Sequence, residues 1–171
     1  MRYPRAKILA CAPSNSAADL LAWRLARTLT PEDMFRCNAA LRDPITMPPD
    51  LGSYTFRSRN TYTMPSIDTL MKYKVIVSTC NNASFAYNIG MPAGHWTHIF
   101  VDEAAQVSEP EALNAIKPLA LDSTRIILSG DPMQLGPVIR SSVARELHMD
   151  KSYLERLLER PVYSEGGRGR A

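Results

Sequence analysis

Residues 97–110 read THIFVDEAAQVSEP, and the reading of this stretch decides the fold. Ile99, Phe100 and Val101 form a short apolar run with the length of a buried strand, and two carboxylates, Asp102 and Glu103, stand at its end. Strand alternation would send those two side chains to opposite sides. Adjacent acids repel and resist burial unless a cation, or a positive charge developing at the strand end, engages at least one of them. Ala104 and Ala105 are small enough to let a ligand approach. Residues 108–111, S-E-P-E, then read as a capping box that opens a helix, with Pro110 in the first turn where its missing N–H costs nothing.

A plain strand-to-helix turn with two solvated acids would have the same local sequence. A second strand end of the same kind weighs against it. Residues 125–138 read RIILSGDPMQLGPV: an apolar run, then Gly130 and Asp131, then Gln134 in a loop fenced by Pro132 and Pro137. Side by side in a parallel sheet, two such ends form one crevice, and an acidic pair beside it suits the Mg²⁺ side of a nucleotide-hydrolysing α/β domain.

Two further strands lie upstream. Residues 7–12, KILACA, are followed by Pro13, Ser14, Asn15 and Ser16; the hydroxyl or amide of any of Ser14 to Ser16 could cap the next helix, and Ser16 with Asp19 has the spacing of a capping box with the shorter acid. In that helix Leu21, Leu25 and Leu29, beside Ala18 and Ala22, form the stripe expected to pack on the sheet. Residues 75–79, VIVST, likewise end in hydroxyls, Ser78 and Thr79. Small polar groups at a strand end that leads into a helix N-terminus can hold an anion, and an ordinary helix cap uses the same residues. Strands alternating with helices predict an α/β fold, a parallel sheet flanked by helices.

Between residues 30 and 65 the periodicity disappears, and five prolines exclude a long helix. The expectation is irregular structure with one short strand near residues 54–57. Arg36, Arg42, Arg57 and Arg59 with Tyr54, Phe56 and Tyr62 have the mixture of a single-strand binding surface, and equally of a solvated loop. His95 and His98 are three apart but precede a strand with no third ligand in view, so packing or surface roles are expected rather than metal binding. Near the C-terminus, Ser152 with Glu155 opens a last helix with Tyr153, Leu154, Leu157 and Leu158 on its apolar face. Residues 161–171 are expected to be a disordered tail after a single domain spanning residues 1–160.

The chain of 171 residues, 45% hydrophobic and 22% charged, suits one globular domain. Its net charge of +3 permits a nucleic-acid partner without demanding one. Cys11, Cys37 and Cys80 form neither a disulfide framework nor a zinc pattern, which fits a reducing compartment. No apolar run approaches the ~20 residues that span a bilayer. No signal-peptide core is present in residues 1–4, and a soluble cytoplasmic protein without membrane contact is expected.

Four segments in this order, ILACAPSNSAADLL (8–21), VIVSTCNNAS (75–84), HIFVDEAAQVSEPEAL (98–113) and ILSGDPMQLGPVI (127–139), resemble motifs Ia, Ic, II and III of the Upf-like branch of superfamily one helicases. Within it they are most similar to the Armitage and Moloney-leukaemia-virus-ten group and its plant silencing-defective relatives. The resemblance covers nearly the whole chain. It implies the first RecA-like domain, of P-loop NTPase type, of an ATP-dependent RNA helicase that moves 5′ to 3′ on single-stranded RNA, with RNA-silencing or RNA-decay proteins as partners. Carried onto this sequence, the resemblance implies that Asp102 holds Mg²⁺ through water and Glu103 is the general base. It implies that Gln134, after Gly130 and Asp131, senses the ATP γ-phosphate, and that Gln106 joins the polar network around the nucleotide. Pro13, Ser14, Asn15, Ser78 and Thr79 would hold the RNA backbone.

The sequence departs from the family in one respect: G-x-x-x-x-G-K-[ST], the phosphate-cradling loop, does not occur. The resemblance places that loop one helix upstream of KILACA and also implies a second RecA-like domain. The expectation is a helicase fragment, incomplete at its N-terminus and ineffective as an ATPase by itself. The alternative is a non-hydrolysing module that binds RNA or a partner.

Overall fold

The computed structural model describes residues 6–164. Its strands are β1 (Ile8–Ala12), β2 (Met34–Arg36), β3 (Phe56–Ser58), β4 (Thr61–Thr63), β5 (Val75–Thr79), β6 (His98–Val101) and β7 (Arg125–Leu128). Five of them make one sheet in the order β2-β5-β1-β6-β7, every pairing parallel, while β3 and β4 form a separate antiparallel ribbon. The described α-helices are α1 (Asn15–Leu25), α2 (Ile67–Leu70), α3 (Phe85–Asn88), α4 (Glu109–Ile116), α5 (Ser142–Glu146), α6 (Tyr153–Leu158) and α7 (Pro161–Ser164). The four strands read from apolar runs with polar ends are therefore present, in an α/β architecture with a parallel sheet flanked by helices.

Two cores sandwich the sheet, as expected when both faces are covered. One face carries Leu9, Ile76, Ile99 and Val101 against Trp96, Ala112 and Ile116. The other carries Ala10, Val75 and Val77 against Ala18 and Ala22 of α1. That helix packs on β5 and β1, and its closest residues are alanines, which let backbone approach backbone. Leu21 and Leu25 of the expected stripe are only half-buried. In α4 the inward residues are Ala112, Ala115 and Ile116, with Leu113 half-covered.

Residues 30–65 are more ordered than periodicity predicts. They hold β2, two 3₁₀ turns (Pro44–Thr46 and Pro49–Tyr54) and the β3–β4 ribbon. Their cations and aromatics do not form one surface. Arg36, Arg42, Tyr54 and Tyr62 are buried, and only Arg57 lies over a ring, 5.6 Å from the Tyr62 centroid. The cause is Asp19. Its carboxylate, side chain 6% exposed, accepts from Arg36 Nε at 2.9 Å and from Arg42 Nη1 and Nη2 at 2.9 and 2.5 Å. A carboxylate read as half of a capping box is thus the anchor of two buried guanidiniums.

Among the described residues, β7 sits at the sheet edge and pairs with β6 alone. Around it, apolar surface faces solvent on both sides. A groove of about 450 Å³ on the α1 side is lined by Leu21, Leu25, Phe100 and Ile127, and one of about 360 Å³ on the opposite side by Ile126, Leu128 and Leu157. Residues 161–164 form α7 rather than the start of a disordered tail, and residues 165–171 lie outside the described residues. Among the described residues, no helix is long and apolar enough to cross a membrane.

Candidate functional site

β6 ends at Val101, and the chain leaves strand geometry at once. The Asp102 N–H donates to the Cys11 carbonyl at 2.8 Å, and Glu103 then adopts φ 52°, ψ 38° in the left-handed region. Strand alternation therefore does not set the directions of the two acids, and both are half-buried at the strand end. A left-handed non-glycine residue costs roughly 1–2 kcal/mol and needs surroundings that hold it. Those surroundings are visible. The Glu103 carboxylate accepts from Gln106 Nε2 at 3.2 Å, and the Ala104 N–H donates to the Ser129 carbonyl at 2.7 Å. The following α4 is capped by the box read from sequence, with Glu111 accepting from the Ser108 N–H and hydroxyl.

The end of β7 meets this loop at Gly130. A Cβ there would stand 2.9 Å from the backbone nitrogens of both Ala104 and Ala105, so only glycine allows the approach. Beyond it Asp131 organises a turn, accepting from the Met133 N–H at 2.9 Å and from Gln134 Nε2 at 3.3 Å. Gln134 is exposed and tethered to Asp131 rather than to either acid of residues 102–103. Ser129 joins Asp102 in lining the groove on the α1 side. Its place as the last residue of the run RIILS marked it as a strand-end group, although its role went unread.

On the other half of the edge, Ser14 is the N-cap of α1; its Oγ accepts from the Ala17 N–H at 3.2 Å and lies 3.0 Å from Ser16 Oγ. Pro13 is half-buried and Asn15 exposed. Thr79 is half-buried, its hydroxyl accepting from the Asn82 N–H at 3.3 Å. Ser78, the other hydroxyl expected at this edge, is 0% exposed and lies beside the Cys37 thiol, on the face of β5 that carries the Cys11 side of the core. One step along a strand exchanges the faces, and Thr79 is the residue of the pair that reaches the edge.

The strand order sorts these groups. Along the C-terminal edge run Thr79 at the end of β5, Ser14 after β1, Asp102 and Glu103 after β6, and Gly130 with Asp131 after β7. Hydroxyl and amide groups occupy one half and carboxylates the other. The halves are tied side to side: Asn81 Nδ2 donates to the second oxygen of Glu111 at 3.0 Å, and Asn114 Nδ2 donates to the Asn81 carbonyl at 2.9 Å. His95 and His98 stand apart from this edge as packing residues, edge-on to Trp96 and stacked on Phe100.

Among the described residues, no group of three or more His, Cys, Asp or Glu side chains could hold a metal ion. One or two carboxylates beside open space are nevertheless the protein ligand set of Mg²⁺ bound with a polyphosphate, which keeps its remaining sites for phosphate oxygens and water. Asp102 and Glu103 fit that set. A glycine-rich cradle for the phosphates is not found in this sequence.

The AAA domain family matches residues 51–142, which takes in the acid loop and the Gly130 turn. The human protein named RNA helicase Mov10l1 is 41% identical over 162 residues, covering 94% of this chain and 13% of that protein. The zebrafish (Danio rerio) putative helicase mov-10-B.1 is 38% identical over 168 residues, 96% of this chain and 17% of the relative. The Drosophila melanogaster probable RNA helicase armi is 35% identical over 181 residues, 94% and 15%. The chain thus spans less than a fifth of the length of these relatives. Among solved structures, the C-terminal part of the Fun30 ATPase domain aligns with a TM-score of 0.41 and 14% identity, over 94% of this chain and 49% of that one.

Proposed function

The chain belongs to the AAA domain family, and from that premise we propose that it is the motif-bearing part of an ATP-dependent RNA helicase that moves 5′ to 3′ on single-stranded RNA in the cytoplasm. The observation that carries this reading is Glu103, held in a left-handed conformation beside Asp102 at the end of β6 and braced by Gln106. A strained acid that its surroundings hold in place is a mark of a working site. The similarity of the chain to proteins named RNA helicases supports the RNA substrate. The uncovered β7 edge and the grooves on its two faces support a chain that works within a larger protein.

In this reading Asp102 would hold Mg²⁺ through water, and the ion, bound with ATP, would supply charge neutralisation at the phosphates. Glu103 takes the proton of the attacking water on its carboxylate, one oxygen of which Gln106 already occupies as donor. Gln134, swung from its Asp131 contact, reads the terminal phosphate. Pro13, Ser14, Asn15 and Thr79 line the other half of the edge, where neutral donors position an RNA backbone without reading bases. Partners from RNA silencing or RNA decay follow from the family resemblance.

The test uses the chain within a longer protein that supplies a G-x-x-x-x-G-K-[ST] loop ahead of it. Glu103→Gln removes a group that acts in the transition state, so kcat should fall roughly 10²- to 10⁴-fold with ATP affinity retained. Asp102→Asn acts on the ground state as well and should weaken Mg²⁺-nucleotide binding together with turnover. Normal turnover in E103Q, or equal loss of ATP affinity in both, would refute the assigned roles. The 171-residue chain alone should show no turnover above buffer.

A further inference from the structure

Two arginines and one carboxylate are buried together beneath the N-terminus of α1, leaving an excess of one positive charge. Arg42 is satisfied within the cluster by Asp19, Asn38 Oδ1 at 2.7 Å and the Thr46 carbonyl at 3.2 Å. Arg36 is 0% exposed and uses its groups differently. Its Nε goes to Asp19, its Nη1 to the Cys37 carbonyl, and its Nη2, 2.9 Å from Asp19 Oδ1, also reaches Asn15 Oδ1 at 3.1 Å and the Asn15 carbonyl at 3.5 Å. Asn15 itself is exposed. It is the point at which the buried cluster touches the surface of the strand-end edge.

We propose that Arg36, locked by Asp19, is a positioning residue that fixes the Asn15 side-chain amide with its NH₂ group turned outward, as a donor to a phosphate oxygen of single-stranded RNA. This rests on the RNA reading above and names the device behind one of its contacts. A guanidinium has five donors and no acceptor, so the amide atom that faces it must be the oxygen. The nitrogen of the same planar amide then points away, toward the solvent side where the backbone would lie. An asparagine free to flip would present donor and acceptor alternately. One held by a buried arginine presents only the donor, and it borrows polarity from a cation that never reaches solvent. Asp19 keeps the guanidinium plane in register, because rotation would break its contacts.

The experiment compares variants of the chain, carried within the same longer protein that supplies the phosphate loop, by thermal melting and by binding to a fluorescein-labelled oligouridylate at low salt. Asn15→Asp is nearly isosteric and gives Arg36 a charged acceptor, so it should melt no lower than the native chain. It nevertheless replaces the outward donor with an acceptor, and RNA affinity should fall roughly ten- to a hundredfold. Asn15→Ala should lose affinity and melt lower. Arg36→Lys keeps the cation beside Asp19 but has no second nitrogen to span to Asn15. It should weaken RNA binding in the native background and produce no further loss in the Asn15→Ala background. A purely structural arginine would lower both backgrounds alike. Native affinity in Asn15→Asp, melting of that variant as low as Asn15→Ala, or additive losses in the double variant would overturn the proposal with the RNA reading intact. A native protein that binds no oligouridylate would overturn the RNA reading, and the donor role with it.

Discussion

Replacing Gly130 with alanine tests the contact between the two acid-bearing strand ends. The added methyl would stand 2.9 Å from two backbone nitrogens, those of Ala104 and Ala105, and 3.4 Å from the Glu103 carbonyl carbon. Ordinary contacts begin near 3.4 Å, so the loops must separate by about half an ångström against backbone rather than against a flexible side chain. The Ala104 N–H to Ser129 carbonyl bond, 2.7 Å, spans the same gap and would lengthen with it. Overpacking of this kind costs about 1–3 kcal/mol. A weakened hydrogen bond adds up to about 1 kcal/mol. For a domain of this size about 2 kcal/mol corresponds to a fall in Tm of roughly 4–8 °C. Circular-dichroism melts of the full chain measure it, with Gly52→Ala as the control in the same protein. Gly52 has nothing within 4 Å of its would-be Cβ and no left-handed backbone, so that substitution should be neutral or stabilise by about 0.4–1 kcal/mol. A Gly130→Ala chain that melts with the native one, or a Gly52→Ala chain that falls as far, would refute the reasoning.

Three other outcomes follow from the geometry. Ser78→Ala removes a fully buried hydroxyl that lies beside the Cys37 thiol, so it should change stability by no more than about 1 kcal/mol and leave RNA affinity unchanged. Thr79→Ala should weaken RNA binding, and equal losses in the two variants would remove the distinction. Asp19→Asn leaves two buried guanidiniums without their carboxylate and should cost about 3–5 kcal/mol in urea denaturation. A loss no greater than that of an exposed acid such as Asp122 would contradict it. Burial, with Lys7 as the second cause, holds the His95 imidazole below its ordinary 6.5. Between the folded and unfolded values the unfolded chain binds more protons, so this contribution is full above pH 6.5 and is lost as pH falls below it. His95→Gln should flatten that acid slope of stability, and an unchanged slope would assign it to other groups.

What could be read from sequence was what local pattern carries. β1, β5, β6 and β7 each declare themselves by an apolar run closed by a polar group, and the box at Ser108 and Glu111 forms as its spacing implies. β2 was invisible because Met34, Phe35 and Arg36 are too few for a period and end in a charge that folding buries. That burial depends on Asp19, which lies 17 residues from Arg36 and 23 from Arg42. Of the cap candidates Ser14 to Ser16 it is Ser14 that caps α1, and Asp19, which has capping-box spacing from Ser16, turns inward instead. Ser78 and Thr79 could not be told apart locally, since a strand end fixes the face of a side chain only when its last paired residue is known. Ala12 pairs with Thr79, which sets that register and puts Ser78 in the interior row beside Cys11.

The two halves of the edge are joined by more than proximity in the sheet. Cys80 N–H donates to the Ala12 carbonyl, Asp102 N–H to the Cys11 carbonyl and Ala104 N–H to the Ser129 carbonyl, at 2.9, 2.8 and 2.7 Å. Each bond ties the first residues past one strand to the end of its neighbour, so the loops after β5, β1, β6 and β7 form one continuous strip. Glu111 adds a side-chain tie across it through Asn81. Such a strip, footed on buried strands, resists relative motion of its members. Residues 129–136 differ, being exposed throughout and carrying Asp131 and Gln134 on a turn held by few contacts. That turn, which meets the strip at Gly130, is therefore the member of the edge freest to move. Under the proposed function, Gln134 would change partner by movement of this turn while Ser14, Asn15 and Thr79 keep their spacing.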